Sequence, residues 1–144
     1  MGGDEAVFER SFRVEGGNFS KAGRASADVK TLLREIGLAP EIIRRLAIAS
    51  YESEMNVVAY AREGDLTLTI YPTRVRLVVA DRGPGIADIE LAMQEGYSTA
   101  SDAIREMGFG AGMGLPNIKK NVDRMKIESE VGRGTTLDLE VDFA

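Results

Sequence analysis

Residues 66–81 read LTLTIYPTRVRLVVAD. The first run, LTLTIY (66–71), alternates strictly, as a strand with one buried face does. The second, RVRLVVAD (74–81), is more continuously apolar, which suits a strand inside a sheet. Pro72 and Thr73 make the turn between them. An interior strand needs a neighbour on either side and a layer covering its apolar face, so the rest of the chain must supply both.

It does so in an ordered way. Residues 6–14 place Phe8, Phe12 and Val14 on one side at period two, which predicts a strand, and EGGN at 15–18 is a turn. Ser20 to Ile36 has helical spacing, with Ala25, Val29, Leu32, Leu33 and Ile36 on one face and Gly37 as its stop. Pro40 suits the first turn of a second helix, predicted to run to about Ala61 and to end by Gly64. A short helix is expected at Asp88–Gln94. Another is expected from Leu115 to Met125, with Leu115, Ile118, Val122 and Met125 facing inward, followed by strands at 126–131 and 135–143. The order β-α-α-β-β-(α)-α-β-β predicts an α+β two-layer sandwich, a mixed or antiparallel sheet with helices on one face, rather than a βαβ-repeating parallel sheet.

At 144 residues the chain suits a single domain, 1–144, and with 44% hydrophobic residues it can bury a core. No apolar run is long enough to span a bilayer, and no secretory leader is visible, so a cytoplasmic location is expected. Cysteine and histidine are both absent. Disulfides, thiolate or imidazole metal sites, a histidine-based triad and a histidine phosphoacceptor in this chain are therefore excluded. A net charge of −5 argues against binding nucleic acid through a general basic surface. Any general base must be Asp, Glu, Lys or Tyr.

The chain also carries GFGAGMGLPNIKK at 108–120, a glycine-rich loop opening a helix. The dinucleotide pattern G-x-G-x-x-G fails, because Met113 and Leu115 occupy the positions of its third glycine, and no Walker motif is present. The loop physics still allows an anion site. Alternating glycines let backbone N–H groups converge, and the helix dipole aims at the same spot. A plain surface loop is the other reading. Lys119 and Lys120 lie more than a turn into the helix and read as surface residues.

Two further stretches bear chemistry. In ADRGPGI (80–86), Asp81 ends the interior strand, as a turn cap or as an acceptor for an exocyclic amine, with Gly85 letting a base approach the backbone. In SYESEMNVVAYA (50–61), Glu52 and Asn56 are four apart and share a helix face, while Glu54 points about 200° away. They read either as a solvated pair or as a general base beside a hard-cation ligand.

Taken in order, Glu-x₃-Asn, Asp-x-Gly-x-Gly, G-x-G-x-G-x-G before a helix, and Gly134-Thr135 opening a strand resemble the ATPase superfamily of gyrase, chaperone, histidine-kinase and mismatch-repair ATPases, with its Bergerat fold. DIELAMQEGYSTA and the glycine stretch are most similar to the bacterial anti-sigma factor and serine/threonine kinase family, in its stress-signalling switch-kinase branch. The resemblance implies ATP or ADP with Mg²⁺. It implies Glu52 as general base, Asn56 as Mg²⁺ ligand, Asp81 with Gly83 and Gly85 at adenine, and Thr135 supporting adenine. Gly108, Gly110, Gly112, Gly114 and Leu115 would hold phosphate at the helix start. Residues 96–107 would form an ATP lid, with Arg105 reaching the γ-phosphate or remaining solvated. The implied partners are a STAS-domain substrate and a sigma factor or phosphatase, with a homodimer open and no nucleic acid or membrane. A nucleotide-controlled binding module with little catalysis is the rival reading, and an isolated histidine-kinase ATPase domain a more distant one.

Overall fold

The computed structural model describes residues 5–94 and 114–143. Strand β1 (Phe8–Glu15) leads through a 3-10 turn (Phe19–Lys21) to helices α1 (Arg24–Ile36) and α2 (Pro40–Tyr60). Strands β2 (Glu63–Ile70) and β3 (Arg74–Asp81) follow, then the short α3 (Ile89–Ala92), α4 (Gly114–Asn121), β4 (Arg124–Glu130) and β5 (Gly134–Asp142). Five strands form one antiparallel sheet in the order β1-β2-β3-β5-β4. The interior position expected for β3 is the observed one, and the sheet is antiparallel throughout.

Alternation assigns the two faces. Phe12, Leu66, Val79, Leu137 and Ile127 form one continuous row across all five strands. Leu68, Leu77, Leu139 and Met125 form the next. Helices α1 and α2 cover these rows with Val29, Leu33, Leu46, Ala49 and Val57, all essentially inaccessible to water. Burying each of the Val and Leu side chains contributes about 1.5–3 kcal/mol, which makes this layer contact the main support of the fold. The opposite face is charged: Arg76 pairs with Asp138, and Arg74 and Arg124 share Glu140. Among the described residues, no helix is long and apolar enough to cross a membrane.

The boundaries differ from expectation in four places. The helix expected from Ser20 begins at Arg24, because Gly23, at φ 94°, turns the backbone just before it. Gly64 does not end α2. It lies inside β2, where a β-carbon would stand 3.1 Å from Val57 of α2, so its absence lets the helix lie close to the sheet. The helix expected to reach Met125 stops at Asn121, since β4 takes Met125 into the sheet opposite Leu139. The short helix expected at 88–94 is only Ile89–Ala92, with Asp88 accepting the Leu91 N–H as its cap. Gly37 and Pro40 act as read: Gly37 closes α1 in the left-handed conformation, and Pro40 opens α2.

Candidate functional site

The apolar rows of the sheet end in a polar row. Gly64 pairs with Asp81, and Ser129 pairs with Thr135. These residues follow Val79, Ile127 and Leu137 at period two, so they share the helix-covered face. The Thr135 N–H donates to Asp81 Oδ1 at 3.1 Å, joining β3 to β5 at this end. Asp81 is half-buried, and burial pushes its carboxyl above the ordinary aspartate value of 3.8 against the opposing N–H groups of Thr135 and Gly83 and the charge of Arg82. Such a carboxylate has unused acceptor capacity and gains from a donor supplied by a ligand.

The turn after Asp81 forms the other wall. Gly83 packs against Ala61 at the end of α2, where a β-carbon would stand 3.0 Å from its Cα. Gly85 has φ +76°, and a β-carbon there would run into the Glu130 carbonyl. Only glycine permits this turn to lie against the β4–β5 hairpin. The contact is held by the Gly132 N–H on the Pro84 carbonyl at 2.9 Å and by the Ile86 N–H on Ser129 Oγ at 2.7 Å.

A second cluster lies farther back along α2. A β-carbon on Gly114, the first residue of α4, would stand 3.1 Å from Asn56 Oδ1 and 3.5 Å from Glu52 Oε2. The two side chains expected to share a face therefore meet the N-terminus of α4, where the first-turn N–H groups of a helix and its dipole favour an anion. Burial raises the Glu52 carboxyl above its ordinary value, and a hydrogen bond with Asn117 of α4 opposes that rise. From Asn56 to Ala61 is about 8 Å along the helix axis and from Glu52 about 14 Å, at 1.5 Å per residue. Base-type and phosphate-type features thus lie along one helix at a separation on the order of an extended nucleoside triphosphate. Among the described residues, no group of three or more His, Cys, Asp or Glu could hold a metal ion. The donor set here, one amide oxygen beside a helix N-terminus, fits Mg²⁺, which takes most of its oxygens from phosphate and water.

Glu52, Asn56 and Gly114 are thus brought together, as are Asp81, Gly83, Gly85 and Thr135. Leu115 packs on the core beside Gly114. Gly108, Gly110, Gly112, residues 96–107 and Arg105 lie outside the described residues. Lys119 and Lys120 are exposed, as read. Three residues were missed: Ser129, Asn117 and Glu54. Ser129 carries a period-two signal, being in phase with Met125 and Ile127. Asn117 follows Gly114 by three, the spacing that stacks side chains on one helix face. Glu54 points away from Glu52 as expected, but it is buried, and it accepts N–H groups of Gly23, Ala25 and Ser26 at 2.9–3.2 Å.

The family described as Histidine kinase-, DNA gyrase B-, and HSP90-like ATPase matches residues 41–144. The serine/threonine-protein kinase RsbT of Bacillus subtilis is 29% identical over 112 residues, covering 75% of this chain and 78% of that protein. An anti-sigma F factor of Clostridium acetobutylicum is 31% identical over 104 residues, 72% of this chain and 65% of its own length. One from Caldanaerobacter subterraneus is 28% identical over 109 residues, and the chain spans 64% of it. The catalytic domain of the histidine kinase ThkA superposes with a TM-score of 0.56 at 16% identity, covering 95% of this chain and 97% of that one, a likeness of fold. With the match covering most of its length, the chain belongs to the histidine kinase-, DNA gyrase B- and HSP90-like ATPase family and carries a nucleotide-using domain.

Proposed function

We propose that the protein is an ATP- and Mg²⁺-dependent serine/threonine kinase that phosphorylates a STAS-domain protein in sigma-factor or stress signalling. The observation that carries this reading is Glu52. It is a carboxylate of raised basicity, held by Asn117 beside the N-terminus of α4, one helical turn from Asn56.

Asp81 and Thr135 would hold the adenine edge, and the first N–H groups of α4 would hold phosphate. Asn56 would bind Mg²⁺ through Oδ1, and the bound cation would supply positive charge against the phosphate oxygens. Glu52 would take the proton of the substrate hydroxyl as its oxygen bonds to the γ-phosphorus. The bond from that phosphorus to the bridging oxygen would break, and ADP would leave. Positioning and electrostatics provide most of such catalysis.

The test is transfer of labelled γ-phosphate to a cognate STAS-domain protein. Replacing Glu52 with Gln is expected to keep ADP affinity within about threefold and to reduce transfer by about 100-fold or more. ATP binding by the wild type without transfer to any STAS partner would remove the kinase claim. The similarity to anti-sigma F factors supports a second mode, nucleotide-controlled sequestration of a sigma factor. Affinity capture discriminates: a sigma factor as the main partner favours sequestration, and a STAS protein favours the kinase.

A further inference from the structure

One polar side chain at the base-type end has no part in the reading above. Ser129 faces inward on β4, directly across from Thr135. Its Oγ accepts the Ile86 N–H at 2.7 Å, lies 2.8 Å from Thr135 Oγ1, and donates to the Gly134 carbonyl at 3.2 Å. Thr135 in turn donates its own N–H to Asp81. A single hydroxyl therefore ties together the turn after β3, the β4–β5 hairpin and, through Thr135, the Asp81 carboxylate.

We infer that Ser129 is the positioning residue for base selectivity: it holds the Thr135 hydroxyl as an acceptor beside Asp81, so that the pocket favours a purine bearing a 6-amine over one bearing a 6-oxo group. The inference rests on the nucleotide reading of the site.

The reasoning is a count of protons. A hydroxyl has one proton and two lone pairs. The Ile86 N–H occupies one lone pair of Ser129, and the Gly134 carbonyl takes its proton. We place the Thr135 O–H, 2.8 Å away, on the remaining lone pair. Thr135 is then left with acceptor lone pairs only, and ionised Asp81 beside it is also acceptor-only. Two adjacent acceptors match an amine donor and repel a carbonyl oxygen at the same place. Without the Ser129 hydroxyl, the Thr135 O–H is free to rotate into the pocket and serve a 6-oxo group. The Ile86 N–H also loses its partner, loosening the Gly83–Ile86 turn.

Calorimetric titration of the whole chain with ADP and with GDP tests this. In the wild type ADP is preferred. In Ser129→Ala, ADP affinity falls about tenfold and the ADP:GDP preference falls by a similar factor, the size of one hydrogen bond turned to a mismatch. Ser129→Thr, which keeps the hydroxyl, restores the preference. Should Ser129→Ala not fold, Ser129→Cys must show the loss, because its sulfur bonds hydrogen weakly. A folded variant with lowered thermal stability and an unchanged ADP:GDP ratio would show Ser129 to be structural only and overturn the inference. Failure of the wild type to bind ADP would instead overturn the nucleotide reading beneath it.

Discussion

Asp81 holds two demands in one side chain. Its carboxyl titrates above the ordinary aspartate value because burial disfavours the charge. In the free protein this group stabilises the fold most when protonated, and that contribution is lost as pH rises from the ordinary value through the raised one. A ligand amine reverses the preference, since only the ionised form accepts fully. ADP affinity is therefore expected to fall as pH drops through the raised value, with proton release on binding visible as a buffer-dependent heat in calorimetry. For the same reason, Asp81→Asn should leave the melting temperature of the free protein at neutral pH unchanged or higher, while ADP affinity falls about tenfold or more. A large loss of stability would contradict the burial argument. Gly85→Ala should lower stability by about 1–3 kcal/mol, read by denaturant unfolding, from the left-handed backbone and the collision with Glu130. Asp81 and Gly85 were legible because their chemistry shows in residue type and local spacing. Ser129, Asn117 and Glu54 were not, because each takes its role from a partner distant in sequence: Ile86, Glu52 and the start of α1.

Helix α2 is the element that organises the site. Arg45, Glu52 and Asn56 are seven and four residues apart, two turns and then one, so they form one stripe. Asn56 and Glu52 meet the first residue of α4. At the other end, Arg45 Nε donates to the carbonyl of Asn121, the last residue of α4, at 3.0 Å, and its terminal nitrogen pairs with Asp123 at 2.9 Å. Helix α4 is thus held at both ends by a single neighbour, and Arg45→Ala should weaken ADP binding several-fold with a stability loss of only about 1 kcal/mol. The opposite face of α2 carries Glu54, whose carboxylate replaces the side-chain cap that Gly23 cannot provide. Truncating it to Ala strands three N–H groups and should cost about 3 kcal/mol in thermal or denaturant unfolding, without changing the ADP:GDP preference. The faces of these helices were legible from apolar spacing, as were the Gly37 stop and the Pro40 start. The end of α4 was not, because Met125 continues the helical period of Leu115, Ile118 and Val122 while also being in phase with Ile127 and Ser129, and the sheet alternation wins.

At the scale of the molecule, the sheet contains two local hairpins, β2–β3 and β4–β5, joined along the β3–β5 seam, with β1 added on the outer edge of β2. Only a short turn closes each hairpin. The seam closes a far longer loop, bringing Asp81 against Thr135 across 54 positions. Closing that loop is entropically harder, so the seam is expected to form late relative to the hairpins it unites. A nucleotide that grips Asp81 and Thr135 together has nothing to grip until the seam is made. It should act as a brake on unfolding rather than a template for folding. In stopped-flow measurements, ADP is expected to slow the unfolding limb of the chevron in proportion to the stability it confers, leaving the refolding limb unmoved.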